Sequence, residues 1–239
     1  MKKLYPTLII SLLILSVGLS QKRYNINHVV ERDGVYIQKF SDEVISGEVF
    51  QMFGDTKVPL GKMKDGKKEG KWIYWYPSGQ KKSVLTYKDE KLDGLFTIWY
   101  ENGQKKVKRT YKDGELDGLF TQWNENGQRE TETTYKDGEI RLAIKWYANG
   151  QKHSEETYKD GKEDGLETYW YENGQKSIEV TYKRGKKSGK WTSWWENGPK
   201  EEEGTYKDNR KVGNWISWWK NGQKGYEGTY KDGKEDGLE

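Results

Sequence analysis

From Met63 onward, hydrophobic and polar residues alternate in short runs rather than with the period of a helix. Residues 110–126 are typical and read TYKDGELDGLFTQWNEN. The runs are rich in threonine and aromatic residues, which favour strands, and no segment has the 3.6-residue period of an amphipathic helix. The pattern therefore predicts β-strands separated by tight turns.

This pattern recurs with a period of about 24 residues, which is within the range of tandem repeat proteins. Tyrosines return at nearly constant intervals along the chain: Tyr87, Tyr111, Tyr135, Tyr158, Tyr182, Tyr206 and Tyr230. A tryptophan column keeps the same spacing: Trp75, Trp99, Trp123, Trp146, Trp170, Trp194 and Trp218. A fixed period of this size indicates a tandem repeat array, in which each unit packs on its neighbours.

Two kinds of turn signal mark each repeat. One is Asn-Gly or a near equivalent: Ser78-Gly79, Asn102-Gly103, Asn126-Gly127, Asn149-Gly150, Asn173-Gly174, Asn197-Gly198 and Asn221-Gly222. The other is Asp-Gly or a variant: Asp65-Gly66, Asp89-Glu90, Asp113-Gly114, Asp137-Gly138, Asp160-Gly161, Arg184-Gly185, Asp208-Asn209 and Asp232-Gly233. These dipeptides favour two-residue type I′ turns with positive φ at both central residues. We therefore predict an all-β fold, a single-layer, elongated and twisted antiparallel meander of tandem β-hairpins.

Strand alternation assigns the aromatic side chains to two faces of this sheet. Counting outward from two-residue turns places Phe120 opposite Thr133, and Tyr111 opposite Leu116. The tyrosines then share one face, the tyrosine face, with a second set of rings: Trp72, Phe96, Phe120, Trp191 and Trp215. The tryptophan column lies on the other face, the tryptophan face, with Thr86, Thr110 and Thr134. We expect cross-strand aromatic packing to hold the sheet together.

Unequal strand lengths leave the register open. With tight turns at both ends, one strand covers 115–125 and the next covers 128–136, so the second is the shorter of the two. Equivalent residues would then slip by ~6.8 Å along the strand for every ~9.6 Å of sheet, in stripes at about 35°. Alternatively, a bulge absorbs the slip. The expected place is the glycine inside the longer strand: Gly70, Gly94, Gly118, Gly165, Gly189 and Gly213.

One repeat is a residue short. Leu142 stands at the position of the glycine, and the interval from Leu142 to Trp146 lacks one residue. Loss of one residue turns the following side chains to the opposite face unless the chain is distorted locally. We expect a kink or an irregular strand at 142–146.

The N-terminal segment, 1–20, differs from everything that follows. The segment MKKLYPTLIISLLILSVGLS has two lysines near its start, an apolar run over 4–15 and small residues near its end, which is typical of a secretory signal peptide. We expect cleavage after Ser20 and export to the periplasm, the outer surface or the medium. The alternative is an uncleaved anchor in the inner membrane.

Two further segments precede the regular repeats. Residues 21–39 contain a predicted hairpin with Asp33-Gly34 as its turn, which we expect to cap the first edge of the array. Residues 40–62 form a degenerate repeat. There Phe40 takes the place of the tyrosine and Gly47 that of the glycine, and Met63 takes the place of the next tyrosine.

The array, 63–239, ends with an open edge. The sequence stops at Glu239, shortly after a strand begins, so the strand at 223–231 has no complete neighbour after it. We interpret this as truncation of a longer chain. Exposed strand edges pair with other strands, so we expect fraying of the last unit and weak edge-to-edge self-association.

Composition and charge narrow the possible functions. The 239 residues include 42 basic and 38 acidic side chains, a net charge of +4, and lysines alternate with acids in each repeat. This balance argues against nucleic acid as a partner. The chain has no cysteine and only two histidines, in unrelated contexts, and its acidic groups lie at turns. We predict no catalytic, metal or cofactor site, and no enzyme.

The repeated residues resemble MORN repeats (membrane occupation and recognition nexus), in the bacterial variant. The resemblance is clearest in Tyr171-Glu172-Asn173-Gly174, Tyr182, Gly185, Gly189-Lys190-Trp191 and Trp194-Trp195. It covers the chain from Met63 onward and, more weakly, 40–62. It implies a β-hairpin array that binds protein or lipid, and bacterial proteins of this kind are commonly identified as YwqK-type antitoxins of toxin–antitoxin systems.

Three functional hypotheses follow. The first is a non-enzymatic, exported scaffold that binds another protein, or a membrane, through the tryptophan column. The second is an antitoxin or immunity protein of the YwqK type. The third is a repeat module that binds cell-wall glycan or choline on exposed rings. In the first and third hypotheses, the candidate residues are the seven tryptophans from Trp75 to Trp218.

Overall fold

The computed structural model describes residues 22–236, so the predicted signal segment, 1–20, lies outside the described residues. The strands are β1 (Arg23–Asn25), β2 (Val29–Arg32), β3 (Val35–Gln38), β4 (Gly47–Phe53), β5 (Thr56–Lys64), β6 (Lys67–Trp75), β7 (Lys81–Lys88), β8 (Lys91–Leu92), β9 (Gly94–Trp99), β10 (Lys105–Lys112), β11 (Glu115–Leu116), β12 (Gly118–Trp123), β13 (Arg129–Lys136), β14 (Glu139–Trp146), β15 (Lys152–Lys159), β16 (Lys162–Glu163), β17 (Gly165–Trp170), β18 (Lys176–Lys183), β19 (Lys186–Trp194), β20 (Lys200–Lys207), β21 (Arg210–Trp218), β22 (Lys224–Lys231) and β23 (Lys234–Glu235). One 3-10 turn, Ile26–His28, precedes β2. Within 22–236, no helix has the length and apolarity needed to cross a membrane.

The strands form one long, open sheet, as the sequence predicts. From β4 onward, the strands pair antiparallel in chain order, except that β7, β10 and β15 each pair with both of the next two strands, the first of which is only two residues long. Among the described residues, 21 strands join this sheet. The strand on its first edge is β1, which runs parallel to β4. The hairpin expected around Asp33-Gly34 is present as β2 and β3, which form a separate two-stranded sheet. An isolated bridge joins Ile37 of β3 to Val44.

The Asp-Gly turns have the predicted type I′ geometry. Asp113 and Gly114 have φ of 52° and 94°. The variant turn Asp89-Glu90 adopts the same conformation, with φ of 46° and 69°, because the turn demands positive φ whatever residue occupies it.

The Asn-Gly turns are not the two-residue turns that the sequence predicts. Gly127 has positive φ (82°) whereas Asn126 does not. The Gly127 N–H donates to the Asn124 carbonyl (3.0 Å), and the Asn124 N–H donates to the Gln128 carbonyl (2.9 Å). This is a three-residue loop, a type I turn followed by a glycine in the left-handed region. Only Gly127 has to adopt positive φ in this loop, so the loop conformation does not require asparagine at position 126.

A bulge after each Asn-Gly loop restores the predicted pairing. Trp123 pairs with Arg129, but Gln122 pairs with Thr131, so one extra residue lies on the second strand. The loop is one residue longer than predicted, and the bulge adds one residue to the second strand, so the pairing beyond the bulge is the predicted one. Phe120 therefore lies opposite Thr133, as predicted, and the two aromatic sets occupy opposite faces.

A second bulge, at the Asp-Gly end, decides the register. Thr97 and Thr121 are equivalent residues of consecutive repeats, and both pair with Lys108, one from each side. No slip therefore accumulates. The two surplus residues lie between the pairs Tyr111–Leu116 and Lys108–Thr121, around Gly118, whose φ of 110° disfavours any side chain. Equivalent side chains consequently stack in straight columns across the strands.

The short repeat shows no kink at 142–146, so that prediction is wrong. Thr134 pairs with Leu142, as it pairs with Leu119 on its other side, and Ile144 pairs with Glu155 in the same continuous register. The bulge near the Asp-Gly turn is one residue shorter in this repeat, with one surplus residue, Arg141, instead of two. The bulge residues are unpaired, so their number can change without displacing the columns.

The best-buried rings lie on the tyrosine face against glycines. Trp72 and Trp215 are 0% and 1% exposed, and each covers the backbone of a glycine, Gly61 and Gly204 respectively. Near the first edge, Trp72 belongs to the main apolar cluster, with Tyr24, Ile45, Val49, Leu60, Met63 and Leu85. Met63 is buried, as expected, but Phe40 is 97% exposed and does not take a tyrosine's place.

Candidate functional site

The tryptophan column lies half-buried on its predicted face, and basic side chains cover most of it. On strands one repeat earlier, a lysine or arginine lies 5.0–5.9 Å from the ring centre of five tryptophans. These pairs are Lys105 with Trp123, Arg129 with Trp146, Lys152 with Trp170, Lys176 with Trp194, and Lys200 with Trp218. The ring faces on this side of the sheet therefore already contact cations of the chain itself.

The tyrosine face is built from four parallel columns. The first is the tyrosines, and the second is the rings that include Phe120 and Trp215. They interlock edge to face, as in Phe120–Tyr135 (centroids 6.4 Å apart) and Tyr206–Trp215 (4.9 Å). A third column of smaller and mixed residues, such as Ser193, lies two residues further along the strands. The fourth column comes from the Asn-Gly loops.

We call this fourth column the loop rings: Tyr76, Tyr100, Tyr147, Tyr171, Trp195 and Trp219, with Asn124 at the same position in one repeat. The loop rings join consecutive repeats. Five of them donate a hydrogen bond to the backbone carbonyl of the next repeat's tryptophan: Tyr76 to Trp99 (2.8 Å), Tyr100 to Trp123 (3.0 Å), Tyr147 to Trp170 (2.8 Å), Tyr171 to Trp194 (2.8 Å) and Trp195 to Trp218 (2.9 Å). Each ring is thereby held upright beside the third column.

Asparagines of the same loops add a parallel row of bonds. The Asn102 Nδ2 donates to the Glu125 carbonyl (2.8 Å), and the Asn149 Nδ2 donates to the Glu172 carbonyl (2.7 Å), again one repeat away. This is why asparagine precedes the glycine although the loop does not need positive φ there. The loops therefore form a continuous hydrogen-bonded edge.

Two buried carboxylates interrupt the aromatic packing near the middle of the tyrosine face. Glu167 is fully buried and Glu156 nearly so, and both lie in the column that holds Phe120 and Trp191 in other repeats. Burial raises the pKa of Glu167 to about 7. Burial alone would raise the pKa of Glu156 too, but hydroxyls of Tyr158 and Ser154 and the Lys145 ammonium hold it below its ordinary value.

The tyrosine face carries a groove of about 770 Å³ toward its C-terminal repeats. The small side chains of Ser193 and Ser217 lie at its base, in the third column. Trp191 borders it on one side, and the loop rings Tyr171 and Trp195 border it on the other. Glu201, Glu202, Trp219 and Tyr226 also line it. The groove opens here because small residues occupy positions that are larger in earlier repeats, such as Gln122 and Lys145.

The tryptophan column predicted from the sequence does not reveal the groove, because the groove is bordered by a second aromatic column, the loop rings. Each loop ring directly follows a residue of the tryptophan column, as in Trp170-Tyr171 and Trp194-Trp195. The regular spacing of the second column was visible in the sequence. Its position beside the third column depends on the three-residue loop, which was not predicted.

Among residues 22–236, no group of three or more histidines, cysteines and acids is placed to hold a metal ion. The buried carboxylates are closed off by Tyr158, Tyr169 and their neighbours rather than open to a cleft.

Comparison with known proteins agrees with this architecture. The family model described as "MORN repeat variant" matches six tandem segments, 68–89, 92–113, 116–137, 142–160, 163–184 and 187–208, more than half of the chain. No curated protein matches. Among solved structures, one match is the crystal structure of the GtfA/B complex bound to UDP and GlcNAc, at 15% identity and a TM-score of 0.20. It covers 46% of this chain and 22% of that chain, and it carries no argument about function.

The family's repeats are modules that often mediate interaction with proteins or membranes, and they form scaffolds without catalytic activity. The matched segments coincide with the hairpins described above. Each contains its Asn-Gly loop, or Ser-Gly in the first segment, together with its tyrosine, and each ends at the first residue of the following Asp-Gly or variant turn. The chain belongs to the MORN repeat variant family.

Proposed function

We propose that this protein is a non-enzymatic scaffold that binds another protein on the tyrosine face of its sheet. The observation that carries the proposal is the groove of about 770 Å³, lined by aromatic rings that hydrogen bonds to the next repeat hold in place. Aromatic rings of this kind, fixed before binding, provide large contact area at low entropic cost. On the tryptophan face, cations of the chain already contact five of the seven rings of the column. In the groove they contact Trp191 and Trp195, whereas Tyr171 and Trp219 have no such contact within the described residues.

A crosslinking experiment tests the proposal and compares the two faces. The photoreactive residue p-benzoylphenylalanine would replace Trp195 in the groove, or its chain neighbour Trp194 in the tryptophan column, in the cells that produce the protein. We expect one defined protein adduct at position 195 that excess unlabelled protein abolishes, and much less at position 194. Adducts at 194 alone would move the binding surface to the tryptophan column, and no competable adduct at either position would overturn the proposal.

We propose further that the scaffold acts outside the cytoplasm. The support is the sequence of residues 1–20, with its charged start and apolar run. Cell fractionation and N-terminal sequencing of the purified protein test this, with an N-terminus near Gln21 expected in the envelope or the medium. An intact N-terminus in the cytoplasm would contradict export and would favour the antitoxin hypothesis, because an antitoxin must meet its toxin inside the cell.

A further inference from the structure

The loop rings do not all have the same surroundings, and the difference lies in a single position per repeat. This is the bulge position, the extra residue after each Asn-Gly loop: Lys82, Lys106, Glu130, His153, Ser177, Glu201 and Gly225. Its side chain lies beside the loop ring of the same hairpin. The bulge position therefore determines what that ring contacts.

In the first two of these repeats the bulge position supplies a basic group. The Lys82 ammonium lies 5.7 Å from the ring centre of Tyr76, and the Lys106 ammonium lies 5.0 Å from that of Tyr100. In a later repeat His153 stands at the bulge position, and its imidazole packs edge-on against the Tyr147 ring with centroids 4.7 Å apart. In two repeats the bulge position thus holds a cation on the face of a loop ring, and we call this position the seat.

In the last three repeats this seat has no basic residue of its own hairpin. Ser177, Glu201 and Gly225 stand at the bulge position, and the groove lies at these repeats. Tyr171 and Trp219 have no basic group over their rings within the part of the chain that the structure describes. Trp195 has one cation near it, Lys220 at 5.2 Å, which comes from the next loop.

The charge of the groove complements a cation. Its lining includes Glu201 and Glu202 but no lysine or arginine. Glu202 is paired with Lys211 (2.6 Å), whereas Glu201 has no ion-pair partner among residues 22–236. Burial raises the pKa of Tyr171, and the nearby Glu201 carboxylate adds to this effect.

We propose that Tyr171, Trp195 and Glu201 form a binding site for a basic side chain, lysine or arginine, on an extended segment of a partner protein. The partner's cation occupies the seat that Lys82 and Lys106 fill in the earlier repeats, with the Glu201 carboxylate as its counter-ion. The groove is far larger than one cationic group, and Ile178 offers apolar surface for residues that flank it, whereas the Trp191 ring already contacts the Lys187 ammonium (4.3 Å). This inference rests on the proposed function and specifies the chemistry of the partner.

Peptide binding to the purified protein tests the inference. The probes are fluorescein-labelled nonapeptides Ala-Leu-Gly-Ser-X-Ser-Gly-Leu-Ala with lysine, arginine, glutamine or glutamate at X, measured by fluorescence anisotropy in a low-salt buffer. We expect the lysine and arginine peptides to bind at least tenfold more tightly than the glutamine peptide, and the glutamate peptide most weakly. Equal binding of the four peptides, or binding of free choline without any peptide binding, would overturn the inference.

Two matched variants locate the site. Glu201→Lys would place a lysine at the bulge position, as in the earlier repeats, and should fill the seat, with a tenfold or greater loss of affinity for the lysine peptide. Glu203→Lys changes net charge equally on the opposite face, where Glu203 pairs with Lys200, and should reduce affinity less than twofold. Glu201→Gln, which keeps the size of the side chain, should lose several-fold. Equal losses for Glu201→Lys and Glu203→Lys would overturn the site.

The outcome is distinguishable from failure of the proposed function. If Glu201→Lys leaves the crosslinked adduct at position 195 unchanged, the scaffold binds a partner there without a buried cation, and only this inference fails. If no adduct forms with the parent protein, the proposed function fails whatever the peptides do. Circular dichroism of both lysine variants confirms that each remains folded.

Discussion

Trp215 owes its complete burial to the absence of a side chain on the strand beside it. Its indole lies flat on the backbone of Gly204, and a Cβ there would overlap the ring atoms Cδ2 and Cε2. Gly61 stands in the same relation to Trp72 at the other end of the array. In a single-layer sheet with a thin apolar core, such ring–glycine pairs replace the packing that a second layer would provide.

Gly204→Ala should therefore destabilise the array by about 1–3 kcal/mol, because the added methyl group displaces the Trp215 ring. Urea denaturation followed by tryptophan fluorescence measures the change. Thr205→Ala, one residue further along the same strand at an exposed position, is the control and should change stability by less than about 0.5 kcal/mol. A Gly204→Ala variant as stable as the control would show that the ring is not held against the glycine.

The buried pair Glu156 and Glu167 makes stability depend on pH. The folded-state pKa of Glu167 is about 7, above its ordinary value of 4.5, so the fold favours the protonated form. The contribution of this group to stability therefore falls as pH rises from about 4.5 to about 7 and is constant above that. Glu156 has the opposite sign: its pKa is lowered, so its contribution is lost as pH falls through the folded-state value.

Glu167→Gln should remove the first of these effects. At pH 8 the variant should be more stable than the parent protein by about 3 kcal/mol, and the difference should shrink toward pH 5. Glu156→Gln should instead be destabilising at pH 8, because it loses the bonds from Lys145, Ser154 and Tyr158 to a carboxylate. Paired urea titrations at pH 5 and pH 8 measure both. A Glu167→Gln variant with the same stability difference at both pH values would contradict the assigned pKa.

At the scale of the hairpin, the Asp-Gly turn and the Asn-Gly loop have different roles. The Asp-Gly turn is a minimal reversal, and its conformation followed from the dipeptide. The Asn-Gly loop is longer and bonds to the next repeat through its ring and its asparagine. Asn124 breaks the ring series, and its side chain accepts hydrogen bonds from the Asn126 and Gln128 N–H groups of its own loop instead.

Asn124→Tyr should supply the missing bond between two repeats. A tyrosine hydroxyl at this position would donate to the carbonyl of Trp146, as Tyr100 does to Trp123 and Tyr147 does to Trp170. We expect a gain of about 1 kcal/mol in the free energy of unfolding. Asn124→Phe is the control, since it adds the ring without the hydroxyl. If the two variants are equally stable, the cross-repeat hydrogen bond contributes nothing.

The hairpin also shows how far sequence could predict this fold. Strand positions, faces and the site of the glycine bulge followed from residue type and period, because alternation and positive φ are local properties. The Asn-Gly loop could not be distinguished from a two-residue turn, since Asn126-Gly127 suits both and the compensating bulge leaves the later pairing identical. The short repeat was misplaced for a related reason. The residue that this repeat lacks is missing from an unpaired bulge. In the sequence alone, the bulge cannot be told apart from the paired strand, so the irregularity was expected at 142–146.

At the scale of the whole molecule, the straight columns produce the candidate site. Because Thr97 and Thr121 meet the same residue from two sides, loop rings of consecutive repeats stand side by side and form one wall. The tryptophan column was predictable as a surface, and its role as a binding surface stays a prediction. The groove was not predictable, because it depends on the register of several repeats and on small residues in the third column.

Distance measurements between spin labels test the straight columns most directly. The chain has no cysteine, so cysteines at Lys112 and Lys207, equivalent exposed positions four repeats apart, can be labelled specifically. Straight columns predict a backbone separation of about 38 Å for this pair, and about 43 Å for Lys105 with Lys207. A sheet that slips by two residues per repeat would reverse the order, with about 46 Å for the first pair and about 38 Å for the second. We predict that the pair at 112 and 207 is the closer one, and the reversed order would contradict straight columns.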